Sequence, residues 1–217
     1  MNLKMASVSL GSVVAFLGLA IVAEGGVRIF FAHGALVAVT VVTLAALVAA
    51  QFSRASLSPG VREDRGNRWV IGALGVLGLL LAFAPPYSDR FGWWVFGGEG
   101  VRWLGVALYT IGGALRLAPV FVLGKRFSGL VAIQSGHQLV TDGLYAIIRN
   151  PSYLGLFVLC FGWALAFRSG LGVVITALMA IPLHARMNSE ERLLAEQFGA
   201  EYAAYRARSW RLIPWIY

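Results

Sequence analysis

The sequence predicts an all-α integral membrane protein, a polytopic helical bundle of about six transmembrane helices. The last two of these form a short hairpin, and a cytoplasmic C-terminal helix follows. Hydrophobic residues make up 59% of the 217 residues and charged residues only 13%, with a mean hydropathy of +0.74. A soluble domain carries about 25% charged residues, and so small a body cannot hide this apolar excess from water. The composition therefore excludes an ordinary water-soluble monomer.

Six apolar runs follow one another along the chain. A helix needs about 17 to 25 mostly apolar residues to cross the hydrocarbon core of a bilayer. Four runs meet this length, and two shorter runs, separated only by Arg168 and Ser169, indicate a tight helical hairpin. The runs cover residues 5–23, 34–52, 69–87, 103–124, 152–167 and 170–184.

The positive charges indicate the orientation and the membrane. Most of the 18 Lys and Arg residues fall in segments that these runs place on one side, and such residues favour the cytoplasmic side. Both termini are therefore predicted to be cytoplasmic, and the Ala-, Gly-, Val- and Arg-rich composition suits a bacterial inner membrane. A nucleic-acid binder would gather its charge on one face with exposed aromatics, so no nucleic acid is expected as a partner. Membrane lipids are expected as partners instead.

The polar chemistry is concentrated in the C-terminal half. We divide the chain into N-terminal transmembrane helices, residues 1–110, and a candidate catalytic region, residues 111–217. Arg116 lies inside the fourth run, where it either snorkels to the interface or pairs with a buried acid or a ligand carboxylate. The single cysteine, Cys160, excludes a cysteine-based metal site, and the three histidines lack ligand spacing. No metal is predicted.

The first polar segment, residues 137–155, reads HQLVTDGLYAIIRNPSYLG. Pro151 bars the residue before it from helical geometry and opens the next helix, while Asp142 and Gly143 mark a turn. This predicts a rigid loop that enters a helix. Backbone N–H groups at that helix start can bind an anionic or polar ligand group, although the Pro and Gly can also simply end one element and begin another. The polar side chains flanking the helix start are Arg149, Asn150, Ser152 and Tyr153.

The second polar segment, residues 186–205, reads RMNSEERLLAEQFGAEYAAY. Asn188 is predicted to cap the start of a helix, with Glu191 three residues later reaching back to it. Arg186 and Glu190 are spaced i, i+4 and share one helical face. A basic and an acidic group that project together toward the loop can hold a zwitterionic small molecule. The aromatic stripe that ends at Tyr205 is expected to pack on the membrane surface or on the loop.

These two motifs, in this order and followed by RLIP, resemble the isoprenylcysteine carboxyl methyltransferase family. They resemble the phospholipid N-methyltransferases more loosely. The resemblance covers roughly residues 113–214 and implies S-adenosylmethionine as cofactor, bound in a cytoplasmic pocket without a Rossmann domain. A family glutamine falls on Ala132 here, and Gln134 is the nearest substitute. The implied cofactor contacts are Gln134, His137, Gln138, Leu139, Val140, Tyr145, Asn150, Pro151, Ser152, Tyr153 and Glu190.

The catalytic residues are predicted to be Arg186, which the resemblance implies faces the methyl acceptor, and Arg149. The family usually reads Arg-His-Pro where this chain has Asn150 before the proline. Asparagine imitates one ring nitrogen of histidine as donor or acceptor but cannot become cationic.

The predicted function is methyl transfer to a carboxylate of an apolar or lipidated acceptor that reaches the site from the bilayer. A carboxylate needs no general base at neutral pH, and an arginine can orient it through two hydrogen bonds. One alternative is an NADPH-dependent enzyme resembling the sterol reductases, although these usually have an acidic residue where this chain has Leu156. Another is a non-catalytic membrane scaffold or transporter, which would place ionisable residues in several spans.

Overall fold

A computed structural model describes residues 3–53, 62–124, 130–133 and 138–217 of the chain. Helices dominate these residues, and they are joined by short connections, two short 3₁₀ turns and one two-stranded sheet. The helices are α1 Leu3–Glu24, α2 Val27–Phe30, α3 Gly34–Gln51, α4 Trp69–Arg90, α5 Glu99–Leu123, α6 Pro151–Ala166, α7 Gly170–Leu178, α8 Ala180–Phe198 and α9 Ala200–Ala207. The strands are β1 Arg62–Glu63 and β2 Ala132–Ile133.

Five helical segments in the described part of the chain are long and apolar enough to cross a membrane. The fifth predicted span, residues 152–167, corresponds to the shorter helix α6, with 16 residues. The all-α, polytopic class is confirmed, and the protein is an integral membrane protein. The five segments are Ala6–Glu24, Gly34–Gln51, Arg65–Arg90, Glu99–Leu123 and Gly170–Phe198.

The predicted hairpin is present. Helix α6 ends at Ala166 and α7 begins at Gly170, and the Ser169 hydroxyl caps α7 by accepting from the Gly172 N–H at 3.1 Å. A serine at this position satisfies one of the N–H groups that a helix start leaves without a partner. The polar break in the apolar sequence therefore coincides with a structural turn.

The prediction that Asn188 begins a helix is wrong. Helix α8 runs without interruption from Ala180 to Phe198, so Asn188 and Glu191 lie in its interior. Pro182 lies in the first turn, where a residue without an N–H costs no hydrogen bond. The chain breaks instead at Gly199, whose φ of +49° glycine adopts without a Cβ clash. Glu191 is thus available for contacts outside its own helix.

Contacts divide the chain into two compact units, and each unit is assembled from three separate stretches of sequence. Unit 1 comprises residues 1–52, 75–114 and 156–179. Unit 2 comprises residues 53–74, 115–155 and 180–217. The functional division at residue 110 stays a prediction.

Trp163 is the centre of the unit 1 core and is only 1% exposed. Its indole N–H donates to the carbonyl of Leu81 at 2.7 Å, and the rings of Phe16 and Tyr109 lie 4.7 and 5.9 Å from it. The Tyr109 hydroxyl in turn bonds to Thr43 at 2.8 Å. Buried indole and phenol groups need such partners, so the aromatic core of this unit is also hydrogen-bonded.

Within unit 1, α5 and α6 approach to backbone contact at two glycines. A Cβ on Gly105 would lie 2.3 Å from the nitrogen of Ala166, and a Cβ on Gly162 would lie 2.3 Å from that of Tyr109. No side chain fits at such distances, so only glycine permits this approach. Small residues at helix contacts are a common means of packing helices in membranes.

Unit 1 also holds a cluster of buried charges. The Asp89 carboxylate, 1% exposed, lies 2.6 Å from a guanidinium nitrogen of Arg102 and 2.7 Å from one of Arg168. Arg102 also donates to the Ala166 carbonyl at 2.9 Å. Glu24 is buried nearby, with 2% exposure. Two arginines around one aspartate give the ion pairing that a buried charge requires.

Candidate active site

The predicted loop and helix start are present in unit 2. A 3₁₀ turn, Gly143–Ala146, begins with a glycine at φ +56°, and α6 begins at Pro151. The N–H groups of Tyr153 and Leu154 donate to the Asn150 carbonyl at 3.1 and 3.2 Å. The Asn150 carbonyl therefore accepts the first hydrogen bonds of α6 although Asn150 itself precedes the helix. Pro151 fixes the backbone at the first residue of α6.

Tyr153, Arg186 and Glu190 meet around one phenolic oxygen. The Tyr153 hydroxyl donates to Oε1 of Glu190 at 2.5 Å and accepts from Nε of Arg186 at 2.6 Å. Arg186 Nε also lies 3.1 Å from the same carboxylate oxygen. The arginine side chain is 9% exposed and the glutamate side chain 29% exposed. We call these three residues the Tyr153 hub; they place a basic and an acidic group side by side at a partly open position.

Tyr145 lies beside the hub. Burial, and after it the negative charge of Glu190, raises the pKa of the Tyr145 phenol above its usual range. The Tyr205 hydroxyl donates to the Tyr145 carbonyl at 2.8 Å, so the last residue of the predicted stripe contacts the loop. Tyr145 therefore stays neutral at physiological pH and can donate a hydrogen bond near a carboxylate.

Glu191, the neighbour of the hub glutamate, joins two arginines from different segments. Its Oε1 accepts from Nε of Arg149 and from Nε of Arg211, both at 3.2 Å. The three side chains are between 10% and 13% exposed. Arg149 donates further to the carbonyls of Arg206, at 3.1 Å, and Ser209. These three contacts of the Arg149 guanidinium tie its loop to α8, to α9 and to Ser209 after α9.

The segment after α9 is bound to the loop through its backbone. The Arg149 N–H donates to the Trp210 carbonyl, and the Trp210 N–H donates to the Ile147 carbonyl, both at 2.8 Å. The Asn150 side-chain amide donates to the Arg211 carbonyl at 3.0 Å. The Asn150 side chain therefore binds the loop to the backbone of the C-terminal segment.

Arg116 contacts the first turn of α6. Its guanidinium donates to the Ser152 hydroxyl at 2.5 Å, and Ser152 in turn donates to the Arg116 carbonyl at 3.3 Å. A Cβ on Gly155 would lie 2.4 Å from the Arg116 nitrogen. Both helices are therefore in backbone contact here, and Arg116 binds a hydroxyl group of its neighbour.

The structure brings together many of the predicted site residues and leaves others apart. Glu190, Arg186 and Tyr153 touch one another, with Tyr145 nearby. Asn150, Pro151, Ser152 and Tyr153 are buried at the start of α6. In the loop before them, Gln138 is exposed and Leu139 and Val140 are half-buried. Gln134 and His137 lie outside the described residues.

Sequence reasoning missed Glu191 and Arg211 as members of this site. The sequence pattern assigned Glu191 to a helix cap and so gave it no partner outside its own helix. Since α8 continues through both glutamates, a cap cannot explain the second one, and this would have indicated a partner from another segment. The Nδ1 atom of His184 shares a hydrogen bond with the Tyr217 hydroxyl at 3.0 Å, in keeping with a structural role. Among the described residues, no group of three or more His, Cys, Asp or Glu side chains could hold a metal ion.

The C-terminal half of the chain, which carries this site, is similar to known proteins. Residues 101–201 match the family model for phospholipid methyltransferases. The protein-S-isoprenylcysteine O-methyltransferase of Schizosaccharomyces pombe is 38% identical over 113 residues, 49% of this chain and 46% of that protein. The mouse protein of the same name is 33% identical over 122 residues, 54% of this chain and 43% of that protein. This half of the chain is therefore similar in sequence to the protein-S-isoprenylcysteine O-methyltransferases.

The likeness to this family is partial in length. Protein-S-isoprenylcysteine O-methyltransferase B of Arabidopsis thaliana is 28% identical over 63% of this chain and 66% of that protein. The chain spans between 43% and 66% of the length of these three relatives.

A solved structure has the same fold over nearly the whole chain. It is described as the eukaryotic intramembrane Ras methyltransferase ICMT, isoprenylcysteine carboxyl methyltransferase. The TM-score is 0.59 at 21% sequence identity, over 96% of this chain and 75% of that one. Family likeness in the C-terminal half is therefore accompanied by a shared fold that extends into the N-terminal helices.

Proposed function

We propose that the protein is an integral membrane methyltransferase that uses S-adenosylmethionine to methylate a carboxylate on a lipidated or apolar acceptor. The observation that carries the proposal is the Tyr153 hub, in which residues 153, 186 and 190 come together inside the region shared with the methyltransferase family. Its relatives are named for isoprenylcysteine, so a cysteine that carries an isoprenyl chain and a free carboxylate is the first acceptor to test.

The residues present fit this cofactor. S-Adenosylmethionine presents an ammonium, a carboxylate and ribose hydroxyls, and so needs both acceptors and donors. Glu190 supplies a carboxylate with 29% of its side chain exposed, and the Tyr145 phenol supplies a neutral donor. In the proposal Glu190, Tyr153 and Tyr145 hold the cofactor, together with Asn150 at the start of α6. When bound, the cofactor supplies a methyl group activated by a sulfonium.

The chain's own task is then to orient the acceptor and exclude water. Arg186 holds the acceptor carboxylate through its guanidinium, which the Tyr153 hydroxyl and Glu190 fix at Nε. A carboxylate is ionised at neutral pH and needs no base. Positioning of this kind can supply about 7 to 11 kcal/mol of the barrier. Arg149, which we predicted to be catalytic, is better suited to holding the loop, because Glu191 and two carbonyls occupy its guanidinium.

The reductase and scaffold alternatives have less support. The curated relatives compared above are methyltransferases by name. The two adjacent glutamates of α8 also both have partners in the site: Glu190 contacts Tyr153 and Arg186, and Glu191 contacts Arg149 and Arg211. A bacterial inner-membrane location, with both termini and the Tyr153 hub on the cytoplasmic side, remains part of the proposal.

Binding and turnover test the proposal separately. Purified protein in lipid nanodiscs should gain thermal stability with S-adenosylmethionine or S-adenosylhomocysteine and not with NADPH, because a ligand stabilises a protein that binds it by mass action. Tritiated S-adenosylmethionine should then label an S-farnesylated cysteine with a free carboxylate. The matching methyl ester, which has no free carboxylate, should stay unlabelled. Stabilisation by NADPH alone would favour the reductase instead.

A further inference from the structure

The turn that follows β1 contacts the helix that carries the hub, although residues 62–68 precede the stretch matched by the family model. Strand β1 pairs antiparallel with β2, with Arg62 opposite Ile133 and Glu63 opposite Ala132. The Asp64 N–H extends this pairing by donating to the Val131 carbonyl at 3.0 Å. In sequence, β2 leads directly to the first of the predicted cofactor contacts.

The carboxylate of Asp64 joins this small sheet to α8. Its Oδ1 accepts from the Gly66 N–H at 3.0 Å and holds the turn. Its Oδ2 accepts from the Ser189 hydroxyl and from Nη2 of Arg192, the latter at 2.5 Å. Ser189 precedes Glu190 in the sequence and Arg192 follows it by two. Asp64 thus joins the two parts: its backbone N–H bonds beside the strand pair, and its side chain binds the part of α8 that carries the hub glutamate.

Two further contacts attach the same segments to α8. The Asn67 amide donates to the Ala185 carbonyl at 3.3 Å, next to Arg186. Val131 packs on Leu193, and the two are 4% and 6% exposed. The sheet therefore lies against α8 over two turns, from the residue before Arg186 to the residues after Glu190.

The Asp64 carboxylate is charged where it makes these contacts. The Ser189 hydrogen bond, the charge of Arg192 and the Gly66 N–H all lower the pKa of Asp64, against a smaller opposing effect of burial. An asparagine at this position would keep the size of the side chain. It would lose the charge that pairs with Arg192 and would turn an N–H₂ group toward one of the donors now bound.

We propose that Asp64 is a positioning residue of the cofactor site, which fixes strand β2 against the helix that carries Arg186 and Glu190. The proposal rests on the proposed function, since it assigns Asp64 to the affinity for S-adenosylmethionine. It also assigns a role in that site to a residue that precedes the stretch matched by the family model, residues 101–201.

The test compares Asp64→Asn with Glu63→Gln in the full-length protein in nanodiscs. Glu63 is a matched control because it is the adjacent carboxylate, pairs with Arg68 at 2.7 Å and has no contact with α8 among the described side-chain bonds. The dissociation constant of S-adenosylhomocysteine is measured by calorimetry. Asp64→Asn should weaken binding about tenfold or more, as small displacements of supporting residues do, and Glu63→Gln should leave it unchanged.

Arg192→Gln is a second variant that does not endanger folding, because the Arg192 side chain is 62% exposed. It should weaken binding less than Asp64→Asn, since Ser189 and Gly66 still hold the carboxylate. The double variant should bind no more weakly than Asp64→Asn alone, because both substitutions remove the same contact, that between Asp64 and Arg192. The KM for the acceptor should stay constant throughout, whereas a general loss of structure would change it as well.

The positioning role is overturned if Asp64→Asn binds S-adenosylhomocysteine as tightly as the wild type, or if Glu63→Gln weakens binding equally. It is also overturned if the effects of Asp64→Asn and Arg192→Gln add. Should the wild type bind no S-adenosylhomocysteine, the proposed function fails, and hydrogen exchange decides the positioning claim alone. Faster exchange of the β2 amides in Asp64→Asn than in Glu63→Gln supports it, and equal exchange overturns it.

Discussion

The Tyr153→Phe substitution removes one oxygen atom and with it the centre of the hub. The Tyr153 hydroxyl contacts Glu190 at 2.5 Å and Arg186 at 2.6 Å, and Tyr153 is 8% exposed. Phenylalanine keeps the ring and its packing. The direct contact of Arg186 with Glu190 at 3.1 Å also remains, so the pair loses its shared partner and keeps its charge balance.

The expected loss follows from these two bonds. A hydrogen bond to a charged group contributes about 1.5 to 3 kcal/mol. The surviving ion pair retains part of what the two bonds contribute, so the net loss should be about 2 to 3 kcal/mol. Since 1.4 kcal/mol corresponds to a factor of ten, kcat/KM should fall by about 30- to 150-fold. The loss should appear in both cofactor affinity and kcat, because the hydroxyl touches the acidic and the basic member of the hub.

Methyl transfer to a farnesylated cysteine in nanodiscs measures this loss, with cofactor affinity determined separately by calorimetry. Tyr109→Phe is the matched control, since it removes an equally buried hydroxyl whose bond is to Thr43, in unit 1, at 2.8 Å. Its kcat/KM should stay within about threefold of the wild type, while its stability falls by about 1 kcal/mol. Equal activities for the two variants would show that the hub has no part in binding or catalysis.

Three further changes test other parts of the structure. Glu191→Gln should lower the unfolding free energy by about 3 kcal/mol in denaturant titrations, because it leaves two mostly buried guanidinium groups without a counter-charge; a loss below about 1 kcal/mol would contradict this reading. Gly155→Ala should destabilise by at least about 1 to 3 kcal/mol, because its Cβ would meet the backbone of α5 at 2.4 Å, whereas Gly78→Ala, with nothing within 4 Å, should be neutral or stabilising. Asp64 has a lowered pKa, so its contribution to stability should be complete above its ordinary value of 3.8 and disappear as the pH falls through the lower folded value. Asp64→Asn should lack this part of the acid transition, and identical acid transitions in both proteins would refute it.

The transmembrane part of the fold could be predicted because length and hydropathy are local properties. Uncharged runs of sufficient length give spans, and the break at Arg168 and Ser169 gave the hairpin. The end of the last span was harder to predict. Hydropathy falls after His184, yet the α-helix continues to Phe198, because a helix that leaves the membrane needs no break in its backbone. The break at Gly199 depends on backbone conformation rather than on polarity.

The site was predictable to the extent that its contacts follow helix periodicity. Arg186 and Glu190 share a face by spacing alone, and Pro151 fixes the start of α6. The partners of Glu191 lie 20 and 42 residues away along the chain. No local pattern specifies pairs of this separation. For the same reason, the contact of Asp64 with Ser189, which are 125 residues apart, could not be predicted from the sequence.

The buried charges of unit 1 constrain how the chain can be inserted into a membrane. Asp89, in the last turn of α4, and Arg168, in the turn after α6, are 79 residues apart. An unpaired carboxylate cannot settle in hydrocarbon at acceptable cost, so the end of α4 can be buried only once Arg102 of α5 lies beside it. Arg168, in the turn after α6, is synthesised later and completes the pairing.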